Sequence, residues 1–167
     1  MTSRSDRSAA LAFEVIQTCL ARGLMVATAE SCTGGLVAGA LTGVSGSSGV
    51  VDRGFVTYSN EAKAEMLGVK ASLISLHGAV SEEVARAMAE GALTHSRASI
   101  TVSITGIAGP GGGSLSKPVG LVHFACAGIG QPIKHIERHF GELGRENVRE
   151  AAVLEALGLL FERANLA

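Results

Sequence analysis

Apolar residues recur at helical spacing over 6–22, where Leu11, Val15 and Cys19 fall every four positions and Ile16 and Leu20 widen the stripe. Gly23 closes that helix. The pattern then shortens. An apolar run predicts a strand over 24–29, and small residues predict a helix over 33–43. Ser45-Gly46-Ser47-Ser48 reads as a loop and Val50–Tyr58 as a second strand. Asn60 opens a short helix that runs to Leu67 and stops at Gly68, with a further turn around Ser72–Leu76. Ser81 is a good N-cap, with Glu82 and Glu83 in the first turn and Val84, Met88 and Ala92 as the apolar face. Ser99–Thr105 predicts a third strand. The glycine- and proline-rich stretch 106–118 cannot be regular structure. Val119–Ala127 and roughly 133–140 predict strands four and five, and a last helix covers about 145–163 with Val153, Leu157, Leu160 and Phe161 on one face.

The first three strands alternate with helices, which argues for parallel pairing with both faces covered. Strands four and five are separated by a few residues and should form an antiparallel hairpin. The expected fold is therefore a three-layer α/β/α domain over 1–167. Its sheet is mixed and mainly parallel, with about five strands, one of them antiparallel.

Composition narrows the function. The chain is 47% hydrophobic, with 22 glycines, 5 Phe, 1 Tyr and no Trp, which suits helices packed closely on a sheet. Its formal net charge of −1 gives no electrostatic footprint for nucleic acid. No apolar run reaches the roughly 18–20 residues of a membrane span, and Glu14 interrupts the stretch that follows Arg4 and Arg7, against a signal peptide. Cys19, Cys32 and Cys126 form neither a disulfide framework nor a zinc site, so a reducing cytoplasm is the expected setting. His77, His95 and His123 are scattered, and His135 with His139 on one strand face reads as solvent exposure. Neither a metal nor a cofactor is expected.

Chemistry concentrates in Ala27-Thr28-Ala29-Glu30-Ser31-Cys32-Thr33-Gly34-Gly35. An apolar strand ends in small polar residues and a small-residue helix follows. Thr33, Gly34 and Gly35 would sit near the first helical turn, whose free N–H groups suit an anion, with the Ser31 hydroxyl facing the same space. Such a corner can offer a nucleophile together with donors for a phosphate or oxyanion. On this segment alone, a Ser/Thr N-cap followed by packing glycines is the slightly stronger reading. Cys32 is the rival nucleophile. The second segment is Tyr58-Ser59-Asn60-Glu61-Ala62-Lys63, at the carboxyl end of strand two, where open α/β sheets bind ligands. Lys63 taken alone reads as a solvated lysine; beside Ser31 it becomes a candidate base.

These two segments, with His77-Gly78-Ala79-Val80-Ser81 and Thr105-Gly106-Ile107-Ala108-Gly109-Pro110, resemble the CinA C-terminal family, over about residues 8–163. The resemblance implies an α/β/α fold and hydrolysis of nicotinamide mononucleotide to nicotinate mononucleotide and ammonia. It implies Ser31 as nucleophile, Lys63 as catalytic lysine, Tyr58 beside them and Thr105 in the pocket. Asn60, Gly106, Cys32, Thr33, Gly34 and Gly35 are further candidates for holding substrate. An arginine is expected at the start of the last helix. Arg145 matches best, with Arg149 one turn later, but Leu143-Gly144 stands where relatives often have Gly-Asp, so the register between the two stays open. A lysine base must be neutral near pH 7, roughly three pH units (about 4 kcal/mol) below its ordinary value near 10.4. The expected partner is the small nucleotide substrate, with a homodimer as the default assembly and no contact with nucleic acid or membrane. The alternative is a nucleotide-binding or adaptor module without turnover, linked to competence or DNA damage.

Overall fold

The computed structural model describes residues 2–167. The helix α1 spans Arg4–Arg22, held at its start by a reciprocal capping box between Ser3 and Asp6 and at its end by Gly23. The strand β1 (Val26–Glu30) leads through a turn to α2 (Leu36–Thr42), and a 3-10 turn at Ser47–Gly49 leads to β2 (Val51–Val56). Three helices follow: α3 (Asn60–Leu67), α4 (Ala71–His77) and α5 (Glu82–Thr94). The strands β3 (Ile100–Gly106), β4 (Leu121–Gly128) and β5 (Gln131–His139) precede the last helix, α6 (Arg145–Leu166).

The sheet order is β2-β1-β3-β4-β5. The pairs β1–β2 and β1–β3 are parallel, and β4 is antiparallel to both its neighbours. One strand of five therefore runs against the rest, the mixed sheet expected from the spacing of the elements. Side-chain alternation separates the two faces. Val26, Ile100, Val102, Ile104 and Phe124 pack with α1, α2 and α6, whereas Ala27, Ala29 and Phe55 pack with α3, α4 and α5. On β3 the face toward α5 is hydroxylic, not apolar. Thr101 donates to Ala89 O (2.7 Å), Ser103 to Ala85 O (2.6 Å) and Thr105 to Ala79 O (2.8 Å). These bonds need the close approach that the alanines allow, and they satisfy hydroxyls that burial would otherwise penalise.

Two expectations are corrected here. The helix predicted over 33–43 begins only at Leu36, because Gly34 (φ 58°) and Gly35 (φ 103°) take left-handed conformations that a helix start cannot contain. His123 is not isolated: the β4–β5 pairing brings its Nδ1 within 2.9 Å of His135 Nε2, and burial holds both rings below the usual histidine range. No helix of the described residues is long and apolar enough to cross a membrane.

The topology gathers one edge. The carboxyl ends of β1, β2 and β3 share it because those strands are parallel. Two reversals, at β4 and again at β5, bring the chain back to the same edge before α6 begins. Arg145 therefore arrives beside residues from the first third of the chain.

Candidate active site

The chain turns sharply after β1. Ser31 N–H donates to Ile104 O of β3 (2.9 Å), and Gly34 N–H donates to Ser31 O (3.0 Å). Ser31 is thus held at the sheet edge with 9% of its surface exposed. From the neighbouring strand, Ser59 caps α3 by accepting from Ala62 N–H (3.0 Å), which orients Lys63 inward. Lys63 is 1% exposed. Its Nζ donates to Ser31 Oγ (3.1 Å), Thr57 O (2.9 Å) and, more weakly, Tyr58 O (3.4 Å). Among the described residues no ion pair involves Lys63. Burial without a countercharge holds this ammonium below the ordinary lysine value.

Ser31, Lys63, Tyr58 and Asn60 line one cavity of about 230 Å³. Thr105, Gly106, Cys32 and Arg145 line it as well, with Ala79, Val80 and Ala108 as its apolar wall. Arg145 reaches across the mouth, donating to Tyr58 Oη (3.2 Å) and Gly109 O (2.9 Å). Tyr58 meets the lysine through its carbonyl, while its hydroxyl faces Arg145. Gly106 has a packing reason to be glycine: a Cβ there would meet Val122 Cγ2 at 2.7 Å and Leu121 O at 2.9 Å.

Three candidates lie elsewhere. The Thr33 hydroxyl donates into the protein, to Glu30 Oε1 (2.6 Å), and Thr33 is fully buried. Gly34 and Gly35 do not line the cavity, and Gly35 faces a separate groove between α1, α2 and α6. The helix start that the sequence offered to an anion is already filled. Glu30 accepts from Val37 N–H (2.9 Å) and Ala38 N–H (3.0 Å), so its own carboxylate occupies the first turn of α2. The glycine loop divides likewise: Gly106 and Ala108 touch the cavity, whereas Pro110 to Gly113 line a different groove.

Cys32 lines the same cavity but is poorly placed to ionise. Its side chain packs in the core, and burial pushes its thiol up to about 12. Glu30 escaped the sequence reading, although it carried a signal. It follows Val26 and Thr28 at two-residue spacing on the buried face of β1, where an unpartnered carboxylate would be costly. Arg149 has a different task from Arg145. Its Nε donates to Cys32 O (3.1 Å) and its NH2 to Thr33 O (3.4 Å), so it grips the turn and not the cavity. Among the described residues no group of three His, Cys, Asp or Glu side chains is disposed to hold a metal ion.

Known proteins are similar to this chain in sequence and in fold. The profile of the CinA C-terminal domain matches residues 8–164. Nicotinamide-nucleotide amidohydrolase PncC of Escherichia coli strain K12 is 52% identical over 154 residues, covering 92% of this chain and 92% of that protein. A CinA-like protein of Syntrophobacter fumaroxidans is 51% identical over 140 residues, which is 84% of this chain and 32% of its own length. The chain thus spans about a third of the CinA-like relatives it matches. The crystal structure of competence/damage inducible protein CihA from Agrobacterium tumefaciens superposes with a TM-score of 0.93 at 53% identity, covering 95% of this chain and 96% of that one.

Proposed function

The chain belongs to the CinA C-terminal domain family, and from that membership and the cavity chemistry we propose that it hydrolyses the carboxamide of nicotinamide mononucleotide, giving nicotinate mononucleotide and ammonia. One observation carries the reading: a buried lysine without a countercharge, hydrogen bonded to a serine at the carboxyl end of the parallel strands of the sheet. Burying a lysine without a countercharge costs the fold stability, and groups perturbed in this way cluster at functional sites. A relative named as this amidohydrolase, of nearly the same length, supports the substrate.

In the neutral state Lys63 has two N–H hydrogens and one lone pair. The carbonyls of Thr57 and Tyr58 accept the two hydrogens, and the lone pair is left for the Ser31 hydroxyl proton. Ser31 Oγ attacks the carboxamide carbon while Lys63 takes the proton. The oxyanion needs donors, and the N–H of Cys32, the next residue in the cavity lining, is the candidate for that role, since Gly34 N–H is spent on Ser31 O. Lys63 then returns its proton to the departing ammonia. The remaining ester is opened by water, activated by the same amine, which releases the carboxylate and restores Ser31. The bound pyridinium is a second positive charge near Lys63 and lowers its proton affinity further.

The cavity's volume of about 230 Å³ equals that of about eight waters at roughly 30 Å³ each. That suits the pyridine carboxamide and leaves the ribose phosphate at the mouth, near Arg145. The deciding measurement is ammonia release from nicotinamide mononucleotide by the purified protein. Tight binding without ammonia would favour the binding-module reading instead.

A further inference from the structure

The turn that carries Ser31 is gripped from two sides by residues outside the cavity. On one side Glu30, wholly buried, accepts from the Thr33 hydroxyl and from two N–H groups of α2. It replaces a capping side chain that Gly35 cannot supply. On the other side Arg149, from α6, spans the carbonyls of Cys32 and Thr33 with two nitrogens. Carbonyl and N–H point oppositely across a trans peptide. A guanidinium drawing Cys32 O toward α6 therefore turns the Thr33 N–H away from α6. Neither Glu30 nor Arg149 lines the cavity.

We propose that Glu30 and Arg149 are positioning residues: a clamp that fixes the 31–35 turn so that Ser31 Oγ and the adjoining N–H groups meet the carboxamide in attacking geometry. The clamp rests on the amidase reading for its catalytic consequence, but its structural content stands separately. A planar two-nitrogen fork suits two neighbouring carbonyls, which lysine cannot match. A carboxylate with three donors loses one acceptor oxygen when changed to an amide.

The test compares Arg149→Lys and Glu30→Gln with the wild type on nicotinamide mononucleotide and on its riboside, which lacks the phosphate. A misplaced nucleophile lowers kcat by about tenfold to a hundredfold with KM little changed, and by the same factor on both substrates. Unchanged kcat in both variants overturns the clamp. A rise in KM confined to the mononucleotide also overturns it for Arg149, which would then be a phosphate ligand. Hydrogen exchange is read in parallel. Both variants should speed exchange of the amides across 31–38 by about tenfold or more while leaving β3 and α5 unchanged. Unaltered exchange overturns the clamp whatever the activity. If the wild type releases no ammonia from either substrate yet the variants loosen 31–38 selectively, the amidase reading fails and the clamp stands.

Discussion

Lys63 Nζ lies 3.1 Å from Ser31 Oγ, although 32 positions separate the two residues in the chain. Neighbouring parallel strands make this contact: β1 delivers the serine at its end, and the turn after β2 starts the helix that carries the lysine. If the pair works as nucleophile and base, Ser31→Ala lowers turnover by about a thousandfold or more, with folding and substrate binding retained. Lys63→Ala is nearly as damaging, and the double variant is scarcely worse than either. Lys63→Arg stays inactive because a guanidinium cannot accept the proton. Steady-state ammonia release checks all four, and a Lys63→Arg enzyme near the wild-type rate would make Lys63 a fixed charge instead of a base.

The lysine's burial also marks stability. Its proton affinity is lowered from 10.5, chiefly by loss of hydration, with Cys32 opposing weakly. Between that lowered value and 10.5 the unfolded chain binds more protons than the native one. Native stability therefore rises with pH across this window and falls as pH drops through it. Lys63→Met removes the effect. Urea unfolding at several pH values should show wild type gaining on Lys63→Met as pH rises toward 10.5. A gap that does not vary with pH would mean that burial does not perturb Lys63.

Cysteine chemistry should be silent. Burial pushes the Cys32 thiol up to about 12 and those of Cys19 and Cys126 up to about 11. The native protein should resist iodoacetamide near pH 8 and keep its activity, as read by intact mass and ammonia release. Cys32→Ala should cost about 1 kcal/mol of stability and leave most of the turnover. Rapid inactivation by alkylation at Cys32 would return the thiol to consideration.

Arg145 and Arg149 should separate kinetically. Arg145 stands at the cavity mouth, exposed, beside Tyr58 Oη. A hydrogen bond to a charged group is worth about 1.5–3 kcal/mol, so Arg145→Ala should raise KM for the mononucleotide about tenfold or more. The riboside should be affected much less. Equal losses on both substrates would assign Arg145 to the reacting end and not to the phosphate.

Metal independence is the simplest expectation of a serine–lysine mechanism. Activity should survive exhaustive chelation. Loss on chelation with recovery on adding one divalent ion would require a different mechanism.

The order of elements was legible because local patterns specify it. Period-four stripes gave α1 and α6, and Ser81 with two glutamates gave the start of α5. The short link between Ala127 and residue 133 gave the β4–β5 hairpin. Motif resemblance singled out Ser31, Lys63, Tyr58, Thr105 and Arg145, and these share one cavity. Local pattern misled where a residue's partner is distant. Gly34 and Gly35 look like an open helix start from sequence, yet the carboxylate that fills α2 comes from Glu30 on the preceding strand. The contrast between two arginines one helical turn apart could not be read at all. Only the return of the chain to the β1 edge, after two strand reversals, aims Arg145 across the cavity mouth and Arg149 at the carbonyls behind it. Sequence spacing fixes which side chains share a helix face, but what that face meets depends on packing between segments more than a hundred residues apart.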